Sequence, residues 1–152
     1  MEDQIGPFPR PVARAALRGD VSHPQIVGEV LFSPYGQGTL VVVRALGLPP
    51  SQFLGLHIHE NGVCDPGGDT AFSSAGGHYN PQSLPHPSHA GDLPPLLTSA
   101  GGVAMEAVYT DRFRPADVIG RAVVVHGMPD DLHTQPAGDS GARIACGVVE
   151  AV

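Results

Sequence analysis

The sequence predicts an all-β domain, an antiparallel sandwich or barrel of about eight short strands joined by turns and long loops. Three observations predict it. Apolar residues fall in short runs, several of them alternating with polar residues. Gly (20 residues) and Pro (16 residues) punctuate those runs, so they read as turns and not as disorder. No stretch of about ten residues carries the period of an amphipathic helix.

The elements follow in order. VARAALRG (12–19) is a short first strand. QIVGEVLFS (25–33) comes next, with Ile26, Val30 and Phe32 apolar. GTLVVVRALG (38–47) follows the turn SPYGQ, and QFLGLHIHE (52–60) follows the break LPPS. Residues 61–92 are rich in Gly, Pro, Ser and His, show no period, and read as one long loop. LPPLLTS (93–99) is a weak strand, and GGVAMEAVY (101–109) alternates after a Gly-Gly turn. GRAVVVHG (120–127) and ARIACGVVEAV (142–152) complete the set. A loop of this length inside a compact domain needs a function or a metal to order it.

A chain of 152 residues suits a single domain over 1–152, with 1–11 read as a disordered N-terminal extension. The net charge of −7 argues against nucleic acid and against an anionic membrane as partners. No apolar run approaches the roughly 18 residues of a membrane span. The start, MEDQIGPFPRP, has no apolar h-region, so the expectation is a cytoplasmic protein or one exported with a leader not included here. Two cysteines allow one disulfide or two free thiols.

Histidine is the unusual residue: eight in all, five of them between positions 57 and 89. In GLHIHENGVC, His57 and His59 stand two apart and project from one face of a strand, while Leu56 and Ile58 face the other way. Two neutral imidazoles side by side make a poor core and a good pair of metal ligands. The loop SSAGGHYNPQSLPHPSHAGDLP adds His78, His86, His89 and Asp92, and VVVHGMPDD adds His126 at a strand end. These residues could form two adjacent sites. Imidazoles without thiolate suit copper or zinc, and a His, His, Asp set suits tetrahedral zinc.

These segments resemble the copper/zinc superoxide dismutase family. GLHIHE, SAGGHYNP, HAGDLP, RAVVVHGMPDD and GARIACGVV match its signature segments in its order, from about residue 25 onward. The resemblance implies a Greek-key barrel with metal-binding loops, and dismutation of superoxide to dioxygen and hydrogen peroxide by a redox-cycling copper beside a structural zinc. It implies copper ligands at His57, His59, His78 and His126, with His78 bridging to zinc. His86, His89 and Asp92 match the other zinc ligands, and Asp130 the carboxylate joining one histidine of each set. Arg143 matches the arginine at the mouth of the site. Cys64 and Cys146 match the family's disulfide. His78 and Arg143 are the residues implied to act on substrate. The strands offer apolar faces that a second copy could cover in a homodimer.

The chain also departs from the family pattern. Only Pro87 and Ser88 separate His86 from His89, where many relatives have a longer excursion. The stretch between Cys64 and His78 is longer than in animal members and closer to bacterial ones. Loop 127–142 carries no lysine or arginine, and Ala137 stands where a threonine is expected. His23 and His133 fit no ligand position and read as surface residues, whereas Phe53 and Tyr79 read as core. The alternative function is a weakly active or inactive copper- and zinc-binding relative that handles metal or acts as a scaffold. A three-histidine zinc hydrolase is a further alternative, weakened because a bridging histidine has no use there.

Overall fold

Alternation decides which side of each strand meets the core. In β1 (Ala13–Gly19) Ala13, Ala15 and Leu17 are buried, while Arg14, Ala16 and Arg18 are exposed. The computed structural model describes residues 8–67 and 69–152, so most of the expected N-terminal extension lies outside the described residues. Residues 8–11 form an unpaired lead into β1, and Pro9 O accepts a bond from Ser33 Oγ at 3.0 Å.

Seven more strands follow: β2 (Val27–Tyr35), β3 (Gly38–Leu46), β4 (Phe53–His59), β5 (Asp92–Leu97), β6 (Ala104–Thr110), β7 (Ala122–His126) and β8 (Arg143–Ala151). They form one antiparallel sheet in the order β5-β4-β7-β8-β1-β2-β3-β6. Its two edges, β5 and β6, approach each other, so the sheet curls into a nearly closed barrel. Neighbours such as β3–β6, β4–β7 and β8–β1 are distant in sequence, the mark of Greek-key connections. The one α-helix among the described residues, α1 (Pro115–Val118), has Pro115 in its first turn. Four residues are too few to show a helical period in the sequence.

The fold puts the histidines outside the barrel. In β4, Leu54, Leu56 and Ile58 are wholly buried in the core, and each contributes about 1.5–3 kcal/mol. Gly55, His57 and His59 therefore face outward. In β7, Val123 and Val125 join the core, while Ala122, Val124 and His126 face outward. This outer side is not wet, because residues 60–91 and 127–142 lie over it. A second apolar cluster of Phe72, Ala75, Ala122, Val124 and Cys146 seats the longer loop on the strands.

Phe53 departs from its expected core position. It shares the outward parity of His57 but lies beyond the covering loops, where it is 52 % exposed opposite Leu97 in β5. Tyr79 does pack against the core, with the Arg121 guanidinium 3.9 Å above its ring. His23 is half-buried against Asp20, whose Oδ1 lies 2.7 Å from its Nδ1.

Candidate metal centre

Three local features order the long loop. Cys64 is disulfide-bonded to Cys146 in β8. A 3₁₀ turn spans Ser73–Ala75. His78 then forms an isolated antiparallel bridge with His59. That bridge brings the His78 ring to β4, its centroid 4.0 Å from the His57 ring and 4.9 Å from the His59 ring.

His57, His59, His78 and His126 form one group, each offering a ring nitrogen within 4.8 Å of the others. The hydrogen bonds assign the tautomers. His59 Nδ1 donates to Gly76 O at 2.9 Å, and His126 Nδ1 donates to Gly141 O at 3.3 Å. A carbonyl only accepts, so both Nδ1 atoms carry the proton and both Nε2 atoms present lone pairs. Those Nε2 atoms stand 3.4 Å apart, face to face. His57 Nε2 donates to Asp130 Oδ2 at 2.7 Å, which leaves a lone pair on Nδ1. His57 Nδ1 and His78 Nε2 are buried without any hydrogen-bond partner. Converging, unpartnered lone pairs in a buried space repel one another unless a cation stands between them.

The second group repeats this arrangement. His86 Nε2 donates to Asp130 Oδ1 at 2.8 Å, so its Nδ1 lone pair faces Asp92 Oδ2 at 3.0 Å. His78 Nδ1 lies 2.8 Å from Asp92 Oδ1 and 3.1 Å from His89 Nδ1, and His89 Nδ1 lies 3.3 Å from Asp92 Oδ2. The ligand–ligand edge of a zinc tetrahedron is about 3.3 Å for bonds near 2.0–2.1 Å. His57 also comes within reach of this group, but one of its ring nitrogens is committed to Asp130. His78 thus stands between the groups, with Nε2 toward one and Nδ1 in the other.

Electrostatics keep His57, His59, His89 and His126 neutral and ready to ligate. Burial, reinforced by Arg143, His78 and His126, pushes His59 down to about 2. Burial, with His57, His78 and Arg143 nearby, pushes His126 down to about 3. Burial lowers His57 and His89 as well. Burial alone would raise Asp130, but bonds from His57, His86 and the Leu132 N–H hold it below the usual carboxylate range. Burial is likewise outweighed at Asp92 by the His78 bond and the surrounding imidazoles.

A cleft of about 600 Å³ opens over the first group, lined by His59, His78, His126, Ala137, Asp139 and Arg143 among others. Arg143 is its one arginine among the described residues, and the chain contains no lysine at all. The guanidinium is held by Phe72 O at 2.8 Å and Gly76 O at 2.7 Å. His133 is a surface residue, with its side chain 79 % exposed.

Four residues of the site had escaped sequence reasoning. Gly76 O anchors both His59 and Arg143. At Gly138 (φ +70°) a Cβ would land on Asp130 and 2.7 Å from His86 Nε2, so the carboxylate bridge needs glycine there. Gln135 and Arg112 hold the backbone around His86 and His89. No spacing marks such contacts.

An antiparallel barrel with two adjoining histidine-rich groups on its outer wall, His57 and His78 within reach of both, defines a metal-binding β-barrel protein. The comparisons with known proteins agree. The family model "Copper/zinc superoxide dismutase (SODC)" matches residues 26–149. A Cu-Zn superoxide dismutase of Deinococcus radiodurans is 37% identical over 94% of this chain and 86% of its own length. One from Aquifex aeolicus is 38% identical over 82% of this chain and 80% of its own length. The solved Cu/Zn superoxide dismutase of Brucella abortus superposes with a TM-score of 0.80 at 32% identity, covering 91% of this chain and 99% of that one. The chain belongs to the copper/zinc superoxide dismutase family.

Proposed function

We propose that this protein dismutates superoxide, with copper held by His57, His59, His78 and His126 and zinc by His78, His86, His89 and Asp92. The observation that carries the reading is the position of His78 between two lone-pair groups, its Nε2 buried and unpartnered. The residues present fit both ions: all-imidazole donors suit copper, and a His, His, His, Asp set suits zinc. When bound, copper supplies a one-electron redox change, and zinc supplies fixed charge without redox chemistry.

The protein's own groups do the rest. Asp130 fixes the tautomers of His57 and His86 together, so each lone pair already points where it is needed. Arg143, a permanent cation at the cleft, attracts the superoxide anion and offers N–H groups to orient it. His78 Nε2 is the atom at which a proton can be held for the departing peroxide, because Nδ1 is committed to the second group. The loops keep bulk water off the buried imidazoles. In sum, two superoxide anions and two protons give dioxygen and hydrogen peroxide.

The test is a dismutase assay on protein carrying one copper and one zinc per chain, with both metals quantified. Full loading without activity would leave the metal-handling alternative in place. The assembly state belongs to the same measurement series, where sedimentation would show a homodimer directly.

A further inference from the structure

The segment around His86 and His89 holds itself by a few local bonds: Ser88 N–H donates to Pro85 O at 2.8 Å, and His89 N–H to Asp92 Oδ2 at 3.0 Å. Only Pro87 and Ser88 separate the two histidines, and Leu84, Pro85 and Ser88 are exposed. Side chains from two distant places take hold of the backbone groups that these bonds leave over. Gln135, in loop 127–142, accepts the His86 N–H through Oε1 at 2.9 Å and donates Nε2–H to His86 O at 2.7 Å. Nε2 also donates to His133 O at 3.1 Å, which fixes the amide's orientation. From the opposite flank, Arg112 Nη1 donates to Pro87 O at 2.8 Å and His89 O at 3.1 Å.

The grip of Gln135 suits an amide alone. It must donate and accept at once, toward the two backbone groups of one residue. A carboxylate of the same shape would face the His86 carbonyl with a second acceptor. Asparagine has the chemistry but lacks the reach. Gln135 also lines the substrate cleft, beside Thr134, Pro136 and Ala137. One side chain therefore touches both the ligand segment and the cleft wall.

We infer that Gln135 is a positioning residue for the zinc site: its amide fixes where the His86 imidazole stands and ties the cleft wall to the occupancy of that site. The inference rests on the metal reading of the two histidine groups. An ion that draws in His86 Nδ1 fixes the His86 backbone, which fixes Gln135 and the wall it belongs to. By reciprocity, a wall held in place by Gln135 strengthens the binding of that ion.

The test uses the metal-free full chain as wild type, Gln135→Ala, Gln135→Glu and the control Gln82→Ala, an exposed glutamine of the same long loop. Each is titrated with zinc against a chromophoric chelator, and separately with cobalt(II), whose visible bands report ligand geometry. Gln135→Ala should weaken zinc about 10–100-fold, as loss of an outer ligand partner does, and shift the cobalt bands. Gln135→Glu fills the same space yet should weaken zinc at least as much. Amide exchange at 133–137 in the zinc-loaded protein should rise in both variants and stay unchanged in Gln82→Ala. Zinc affinity within about twofold of wild type in the glutamate variant would overturn the inference. So would a loss of metal-free stability large enough to account for the weaker binding. If Gln135→Ala does not fold, Gln135→Glu carries the comparison. Wild type that binds zinc but does not dismutate superoxide would end the functional reading and leave Gln135 in its role. Wild type that binds no zinc would end both.

Discussion

Arg143 and His59 share one acceptor, the carbonyl oxygen of Gly76, which lies 2.7 Å from Arg143 Nη2 and 2.9 Å from His59 Nδ1. A single peptide thus sets both the tautomer of an imidazole and the place of the cation at the cleft. Gly76 has φ +75°, where glycine is at ease and other residues are strained. Arg143→Ala should lower the second-order rate with superoxide by about tenfold or more, near 1.4 kcal/mol of barrier, with both metals still bound. Arg143→Glu should lower it further. Since Asp139 lines the same cleft and the net charge is −7, wild type should slow only slightly, or even speed up, with added salt. A steep fall with salt, or full activity in Arg143→Ala, would place the attraction elsewhere.

Asp130 links the two groups by bonding His57 with one oxygen and His86 with the other. Asp130→Ala removes both acceptors. Affinity should fall about 10–100-fold at both sites together, since each loses its tautomer restraint. Separate titrations with copper and zinc check this, and loss at one site alone would contradict the shared role.

Metal-free protein should be acid-sensitive from near neutrality. The folded values of about 2 for His59 and about 3 for His126 lie below the ordinary 6.5. The unfolded chain therefore binds more protons between those limits, and stability rises with pH across that window. Stability should be complete above about pH 6.5 and fall on acidification, by up to about 1.4 kcal/mol per pH unit for each histidine. Urea midpoints at several pH values test the slope. A midpoint independent of pH from neutral to acid would contradict it.

The Cys64–Cys146 bond closes a loop of 82 residues in sequence separation. Chain entropy makes that worth about 4.5 kcal/mol. Replacing both cysteines with serine should lower the melting temperature and loosen the segment that carries Phe72 O and Gly76 O, the two anchors of Arg143. Thiol titration of unfolded, unreduced protein should find no free thiol.

Glu106 sits on β6 opposite Val43, with a buried Oε1 that has no hydrogen-bond partner. Burial raises it from 4.5 to about 7. The folded state then holds the proton more tightly than the unfolded chain, so this residue costs stability as pH rises from about 4.5 through 7. Glu106→Gln should raise the melting temperature at about pH 8 and barely change it at about pH 4. An equal effect at both would mean that the carboxyl is not the strained group.

The strands and the ligand sets were legible because each leaves a periodic or local trace. In β4 the two-residue spacing of His57 and His59 gave their common side and put Leu56 and Ile58 on the other. Phe53 was misread because alternation tells faces apart without telling which part of a face a loop will cover. Gln135 and Arg112 left no trace at all. Their partners are main-chain groups 49 and 23–25 residues away, and a carbonyl has no identity in a sequence. Gly138 is one of 20 glycines, and only the packing of Asp130 against His86 singles it out.

The pairing of β1 with β8 also fixes an order of events during biosynthesis. Ala13 lies opposite Ala151 and Gly19 opposite Ala145, so β1 waits for β8, which is made more than a hundred residues later. Every histidine from His57 to His126 emerges while that seam is still open. Metal met before β8 emerges meets a half-built wall, and loading of the finished site belongs after that seam closes. A chain stalled before β8 would leave the edges of β1 and β7 bare, ready to pair with other nascent chains.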